Sequence, residues 1–184
     1  MSITKWAIDA SHSEITFKVK HLMISTVTGH FNKFNLEVKT ENDDFNSAKK
    51  IEFTADVDSI DTNNEQRNEH LRSADFFNAK DYPQIRFSGT NYEANNDQSN
   101  LRGDLTIAGI TRPITLNVDF GGMAKDSWGG QRAGFSVTGK ISRKEFGLTY
   151  NAATETGGVV LSDEVKINAE IQLVKQVAVE EIAA

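Results

Sequence analysis

The strongest constraint on the fold of this chain is an alternation of apolar and polar residues that recurs along most of its length. Around residue 17 the apolar positions are Ile15, Phe17 and Val19, and the positions between them are polar. Alternate side chains of a β-strand point to opposite faces, so this period of two predicts a strand with one apolar face. The pattern returns in the ranges 51–57, 85–89, 101–107, 114–120, 135–141 and 165–173.

One longer segment changes the parity of its apolar positions midway. These positions are odd from Val27 to Phe31 and even from Phe34 to Val38. An extra residue near positions 32–33 explains the change, and a β-bulge supplies such a residue. We therefore interpret the segment as one bent strand.

Together these segments predict about eight strands in an antiparallel sheet. The breaks between them are short and rich in turn residues, as in ENDDFNS, ANNDQSN and SWGGQ. A parallel sheet would need helices between its strands and continuous apolar runs, and the sequence has neither pattern. The apolar faces must therefore meet one another, which predicts an all-β fold, either a barrel or a two-sheet sandwich.

Small residues on the apolar faces leave the nature of the interior open. Such residues permit an internal volume, as in eight-stranded barrels that hold one small ligand. They also relieve crowding at the corners and bulges of a filled barrel. The pattern alone is therefore compatible with a cavity and with a filled core. The small inward positions are Gly29, Ala55, Gly89, Gly103, Ala133, Gly139 and Ala169.

The segment DTNNEQRNEHLRSADFF, residues 61–77, departs from the strand pattern. Thr62 and Glu65 have the spacing of a capping box, so a short helix is predicted over about residues 63–72. Leu71 and the two phenylalanines that follow the helix form a bulky apolar group. A short helix with no helical partner must pack on the sheet or across a barrel mouth, so we interpret this segment as a lid.

Arg67 and His70 share one face of the predicted helix with Leu71, because they are spaced at i, i+3 and i+4. In one interpretation they hold the polar head group of a ligand, Arg67 through forked hydrogen bonds and His70 as a donor. In the other they tie the lid to a strand carboxylate such as Asp56 or Asp58. The two interpretations are compatible with each other.

Composition and motifs exclude several classes of function. A net charge of −6 with scattered Lys and Arg offers no footprint for a phosphate backbone, so no nucleic acid is expected as a partner. The chain has no cysteine, hence no disulfides and no thiol chemistry. The spacing of His12, His21 and His30 matches no helical metal motif, and no nucleophile signature such as G-x-S-x-G is present. No catalytic residue, metal or cofactor is therefore expected.

The organisation of the chain is expected to be simple. Residues 1–175 are predicted to form one barrel domain, and residues 176–184 a tail. No apolar run approaches the roughly 18 residues that a membrane span needs. No apolar leader precedes the first strand, so we expect a cytoplasmic protein, or a periplasmic one if the chain is a trimmed mature form.

The chain resembles the YceI-like family in several motifs that occur in one order within residues 6–173. These motifs are WAIDASHSEITFKVKHLMISTVTGHF, SADFFNAKDYPQIRFSGT, LTIAGITRPITLNVDF and FSVTGKISRKEFGLTYN. The resemblance implies an eight-stranded antiparallel lipocalin-like barrel around a long apolar pocket. It also implies a bound isoprenoid, such as a quinone or a polyprenyl pyrophosphate, or a fatty-acid-like lipid, and it allows a homodimer. One departure is Asn68, where the family often has Asp.

The lining of such a pocket is predicted from the apolar faces and the lid. The candidates are Phe17, Val19, Met23, Val27, Phe31, Phe53, Leu71, Phe76, Phe77, Phe87, Leu105, Ile107, Leu116, Phe135 and Val137. Arg67, His70 and His21 are candidates for the head group, His21 because it lies near a strand end. The predicted function is to sequester, store or transport an isoprenoid lipid. Two alternatives stay open: an enzyme acting on the isoprenoid head group, and a solid barrel that serves as a protein-interaction module.

Overall fold

The computed structural model describes residues 2–96, 98–151 and 160–176. Its strands are β1 (Ile3–Ile8), β2 (Glu14–His21), β3 (Ser25–Phe31), β4 (Phe34–Glu41), β5 (Lys50–Asp56), β6 (Ile60–Asp61), β7 (Gln84–Glu93), β8 (Ser99–Ile107), β9 (Ile110–Lys125), β10 (Gln131–Ser142) and β11 (Leu161–Lys175). The one α-helix among these residues is α1 (Glu65–Arg72). Short 3-10 turns occur at Ala10–His12, Phe45–Ser47, Val57–Ser59 and Arg143–Phe146. No described helix has the length and apolar character that would let it cross a membrane.

The eleven strand segments form eight barrel strands, because three pairs of segments are single strands broken by a bend. β1 continues into β2, β3 into β4, and β5 into β6. The pairings follow this order, because β2 pairs with β3 and β1 pairs with β4. In the same way β3 pairs with β6 and β4 pairs with β5. β5 then pairs with β7, and β7 to β11 pair in chain order. β11 also pairs with β1 and β2 and so closes the ring. The predicted eight-stranded antiparallel barrel with one short helix is confirmed.

The predicted parity change between residues 27 and 38 is confirmed as a break in one barrel strand. Asn32 and Lys33 separate β3 from β4, and Phe31 before the break and Val38 after it are both buried. The neighbouring strand bends at the same level, where the 3-10 turn Val57–Ser59 separates β5 from β6. The two bends are joined by the Asn32 amide, which donates to the Ser59 carbonyl at 3.2 Å.

Strand β1 was not predicted, because its inward face breaks the alternation. Thr4, Trp6 and Ile8 lie on the inward face, so one of its three positions is polar, and Thr4 and Trp6 are buried. The Thr4 hydroxyl is satisfied by donating to Asp43 Oδ1 at 3.2 Å. A buried Thr with a partner is stable, but it erases the apolar signal on which strand prediction depends.

The helix was predicted in the right place but with the wrong cap. α1 begins at Glu65, and Asn64 is its N-cap, with Asn64 Oδ1 accepting from the Arg67 amide at 2.9 Å. Asn and Thr are both good N-caps, so sequence alone could not rank them. The Thr62 hydroxyl instead donates to Asn68 Oδ1 at 2.7 Å.

The two ends of the barrel differ. The mouth end is formed by the hairpin turn 22–24, the segment 61–83 with α1, the turn 108–109 and residues 143–151. At the other end, here called the plugged end, Phe45 lies 4.7 Å from Trp6 and 4.9 Å from Phe135 between ring centroids. Trp6 is fully buried, and its Nε1 donates to Thr40 Oγ1 at 3.1 Å. All of the predicted tail except Gln176 lies outside the described residues.

Candidate functional site

The barrel encloses a cavity of about 530 Å³ that is lined by inward residues of the strands and by the lid. This volume lies within the range of small-molecule binding sites, about 300–1,000 Å³. Phe17, Val19, Phe53 and Val137 line it and are only partly buried, although they belong to the inward faces. Inward apolar groups therefore still have free surface, and the structure contradicts the alternative of a filled barrel.

Most of the predicted lining residues face this cavity. The strands contribute Phe17, Val19, Val27, Phe31, Phe53, Phe87, Leu105, Ile107, Leu116 and Val137, and the lid contributes Leu71, Phe76 and Phe77. Phe77 packs edge-on against Phe31, with ring centroids 6.2 Å apart. Phe77 of the lid thus contacts the strand wall beneath it, whereas the ring of Phe76 packs against His70 and Tyr150.

Two predicted lining residues lie elsewhere. Met23 is at the tip of the β2–β3 hairpin, 63% exposed and outside the cavity lining. The turn places its side chain beyond the end of the strand, where the alternation no longer sets its direction. Phe135 lines a second cavity of about 70 Å³ near the plugged end. The two cavities share Leu36, Ile51, Leu101, Val137 and Ile171, so the smaller one adjoins the larger along the barrel axis.

The polar residues of the cavity are concentrated at the mouth end, and Arg67 is one of them. Its Nε donates to Thr62 Oγ1 at 2.8 Å, and its NH2 group donates to the Thr62 carbonyl at 2.6 Å. Asn68 holds Thr62 as well, because the buried Asn68 Oδ1 accepts from the Thr62 amide at 2.8 Å. Arg67 therefore ties the lid to the end of β6, but through Thr62 and not through Asp56 or Asp58 as the sequence interpretation had it.

Asp61 completes this polar corner. Its Oδ1 accepts from the Asn63 amide at 2.8 Å and from Asn68 Nδ2 at 3.2 Å. The Asn63 amide is the main reason that the pKa of Asp61 is lowered from its ordinary value, and Asn68 adds to the effect. Asn68 thus acts as both acceptor and donor, which an ionised carboxylate could not do.

His70 lies at the cavity mouth within an aromatic group. Its ring centroid is 5.0 Å from that of Phe76 and 4.8 Å from that of Tyr150. His70 Nε2 lies 2.9 Å from Asp75 Oδ2, so its polar partner belongs to the lid segment and not to a strand. His21, the third predicted head-group residue, also lines the mouth side of the cavity. All three head-group candidates therefore line the same cavity.

Arg143 is a buried cation in the cavity lining that sequence reasoning missed. It is 4% exposed, and its NH1 group donates to the carbonyls of Leu148 at 2.6 Å and Tyr150 at 2.9 Å. Its Nε donates to the Ser162 carbonyl at 2.8 Å. Burial lowers the pKa of its guanidinium, and the nearby Asp163 carboxylate opposes that effect. Arg143 joins the residues after β10 to the start of β11.

The signal for Arg143 was present in the sequence but could not be interpreted there. The residue stands in ISRKEFGLTYN, where three charged side chains follow a strand, and a run of charges at a strand end is ordinarily solvated. Only the chain path shows that Arg143 turns inward while Lys144 and Glu145 stay exposed. Tyr150 and Thr62 were missed for the same reason, since both lie in irregular segments.

The arrangement suits binding of an apolar chain with a polar end. The strand lining offers apolar contacts, and hydrogen-bond donors are grouped at the mouth in Arg67, His70 and Arg143. Among residues 2–96, 98–151 and 160–176 no cluster of three or more His, Cys, Asp or Glu side chains has the arrangement of a metal site.

Comparison with known proteins places the chain in one family. The model of the YceI-like domain matches residues 6–173. A UPF0312 protein of Staphylococcus epidermidis is 42% identical over 173 residues, which cover 92% of this chain and 97% of that protein. The crystal structure of the Campylobacter jejuni YCEI protein has a TM-score of 0.74 and 36% identity, covering 86% of this chain and 90% of that one.

A more distant structure shares only the fold. It is a polyisoprenoid binding domain from Saccharophagus degradans implicated in plant cell wall breakdown, with a TM-score of 0.64 and 15% identity. The match covers 91% of this chain and 97% of that domain.

Proposed function

Because this chain belongs to the YceI-like domain family, we propose that it binds a long apolar lipid inside its barrel, and that the lipid is an isoprenoid such as a quinone or a polyprenyl pyrophosphate. The observation that carries the proposal is the cavity of about 530 Å³, which is lined mainly by apolar side chains along the strands and has its Arg and His side chains near the mouth. The polyisoprenoid binding domain with the same fold supports the ligand class. Sequestration, storage or transport follows from binding without chemical change, and no turnover is expected.

The energetics of such binding need no catalytic group. Each buried methylene-sized group contributes about 0.8 kcal/mol, so ten groups contribute about 8 kcal/mol. Association costs at least about 4 kcal/mol, so contacts beyond these ten groups are needed for micromolar affinity. A long isoprenoid has enough such groups, and its polar end would meet Arg67 and His70 at the mouth.

The test is native and denaturing mass spectrometry of the purified protein, with organic extraction of any bound molecule. The matched control is Ala169→Phe, since Ala169 faces the cavity from the middle of β11 and a phenyl ring there removes ligand space. We expect an isoprenoid with the wild type and little or none with the control. An empty wild type that also takes up no added quinone or prenyl pyrophosphate would overturn the proposal.

Arg67→Gln distinguishes the two head groups. A pyrophosphate should lose affinity in this variant and with rising salt, because its interaction with the guanidinium is ionic. A quinone carries no charge, so its affinity should not depend on salt, and Arg67→Gln should lower it only through the lost hydrogen bonds between Arg67 and Thr62. We also propose that the protein can form a homodimer, which light scattering would test.

A further inference from the structure

The turn between β2 and β3 presents an apolar tip, defined as Leu22, Met23 and Ile24, to solvent at the mouth end. These side chains are 39%, 63% and 82% exposed. The Ile24 amide donates to the His21 carbonyl at 3.1 Å, which closes a tight turn with Leu22 and Met23 at its centre. Three consecutive apolar side chains thus project away from the barrel.

The backbone of this turn is unfavourable for the residues that occupy it. Leu22 has a φ of 51° and Met23 a φ of 60°, both in the left-handed region. Hairpin turns of this shape strongly prefer Asn-Gly or Asp-Gly, and each bulky residue there costs about 1–3 kcal/mol. The backbone strain and the exposure of Leu22 and Met23 do not help the barrel to fold. We therefore expect these two residues to have a role outside folding.

A lysine row lies on the outer wall beside the tip. Lys18, Lys166 and Lys140 stand directly opposite one another on β2, β11 and β10, and all three are exposed. Like charges in such positions are destabilising. The row is partly offset by Glu164, whose Oε1 lies 3.9 Å from Lys140 Nζ. A fourth exposed lysine, Lys20, lies between the row and the tip.

The tip is joined to the rim of the cavity. His21, which precedes it, lines the cavity, and the Leu22 amide donates to the carbonyl of Val160, another lining residue, at 2.7 Å. Lys20 is two residues from Leu22, or about 7 Å along the strand, and Lys18 is about 13 Å away. Apolar side chains, positive charge and the cavity mouth therefore occupy one end of one wall.

We propose that the apolar tip and the lysines dock this protein on the surface of a bilayer rich in anionic lipids, with the cavity mouth facing the membrane. Interfacial segments bury their apolar groups about 5–10 Å into the headgroup and acyl boundary, which places Lys20 among the phosphates when the tip is inserted. The lysine row then lies within about one Debye length of the surface. The inference rests on the proposed function, since docking lets a lipid enter the barrel without crossing water.

The plugged end supplies the contrast. Trp128 is 90% exposed there, but its turn is built on a carboxylate, because Asp126 Oδ1 accepts from the amides of Trp128 at 2.9 Å and Gly130 at 2.8 Å. That carboxylate is itself paired with Arg132, whose Nε lies 3.1 Å from Asp126 Oδ2. Docking through this turn would direct the cavity mouth away from the bilayer, so a lipid could not pass directly from the membrane into the barrel.

The first test is flotation with vesicles of phosphatidylcholine, with and without one quarter phosphatidylglycerol. The wild type should bind only the anionic vesicles. Leu22→Asn combined with Met23→Gly suits the turn better than the natural residues and removes most of the tip, so it should fold normally and lose at least about tenfold in vesicle affinity. Equal binding by this variant, or equal binding of the wild type to both vesicles, would overturn the proposal.

The role of the lysine row in vesicle binding can be tested against a second pair of lysines on β4 and β5. Lys18→Gln with Lys166→Gln should weaken binding by about tenfold or more. Lys39→Gln with Lys50→Gln also removes two opposed lysines, which pair across β4 and β5 toward the plugged end, and should leave vesicle binding nearly unchanged. Equal loss in the two double variants would mean that net charge and not the lysine row drives binding, and the proposal would fall.

Tryptophan fluorescence reports which end touches the bilayer. The wild type has a buried Trp6 and an exposed Trp128, so its emission should not shift when anionic vesicles are added. Met23→Trp should give a blue shift, and a shift in the wild type would place the plugged end at the membrane and overturn the proposal. Uptake of a dissolved isoprenoid without vesicles tests the proposed function separately, and the tip variant should retain it.

Discussion

Gly29 and Gly103 allow the hollow interior to be tested by adding one methyl group to each. A Cβ at Gly29 would lie 2.1 Å from Phe17 Cζ, with its next nearest atoms also in the Phe17 ring. Carbon atoms pack at about 3.5–4.0 Å, so the ring would have to retreat by about 1.4 Å or more. Phe17 lines the cavity, so it has space into which it can move.

We expect Gly29→Ala to change the free energy of unfolding by less than about 1 kcal/mol, because a Gly-to-Ala change at a compatible backbone restricts the unfolded chain and offsets part of the repacking. The displaced ring narrows the cavity, so isoprenoid affinity should fall by about tenfold, the loss of roughly two methylene contacts.

At Gly103 the same methyl group would meet a backbone carbonyl oxygen, which the hydrogen-bonded sheet holds in place. A Cβ there would lie 2.5 Å from the Ser88 carbonyl oxygen, which belongs to the neighbouring strand. We expect Gly103→Ala to lower the free energy of unfolding by about 1–3 kcal/mol. Urea unfolding followed by far-UV circular dichroism gives the stabilities, and titration with a dissolved isoprenoid gives the affinities. If Gly29→Ala were as destabilising as Gly103→Ala and left affinity unchanged, the space beside Phe17 would not be a ligand site.

Three further outcomes are expected. Arg143→Met should lower the free energy of unfolding by about 3–5 kcal/mol in thermal or urea unfolding, because several buried carbonyls lose a charged donor, and Arg143→Lys should not restore it. Thr40→Val should cost about 1–3 kcal/mol and alter the Trp6 emission, because the buried indole N–H loses its acceptor. Hydrogen bonds from Ser11 and then Arg132 hold the pKa of Asp9 well below its ordinary 3.8. A depressed folded-state pKa gives stability that is fully present above the unfolded value near 4 and is lost as pH falls below it. Asp9→Asn should therefore be less stable than the wild type at pH 7, and this difference should shrink by pH 2.5 in urea titrations.

The architecture of the barrel was predictable because its strands each obey one simple rule. Where one face is buried, as from Leu101 to Ile107, the alternation fixes both the strand and its inward residues. The rule failed for β1, where a hydrogen-bonded Thr4 replaces an apolar residue, and for Met23, which lies beyond a strand end. Both failures occur where a local contact decides the structure, and local periodicity does not encode that contact.

The chemistry of the mouth was less predictable. Arg67 and His70 were found as candidates because a polar helix stood out among strands, and His21 because it lies near a strand end. The partners of these side chains were not predicted. Arg143 and Tyr150 meet at the mouth only because the segment after β10 folds back over the barrel. That path depends on contacts between residues distant in sequence, and a single sequence gives no measure of them.

The closure of the ring has a kinetic consequence. Seven of the eight strand pairings join neighbours in sequence and can form as local hairpins, but β11 must find β1 and β2 at the other end of the chain. Long loops are entropically slow to close, so this seam should form last. The closed cavity then does not exist in any partly folded intermediate. A bound lipid should therefore slow the separation of β11 from β1 and β2. In hydrogen exchange, the amides of β1 should gain more protection from ligand than those of β8.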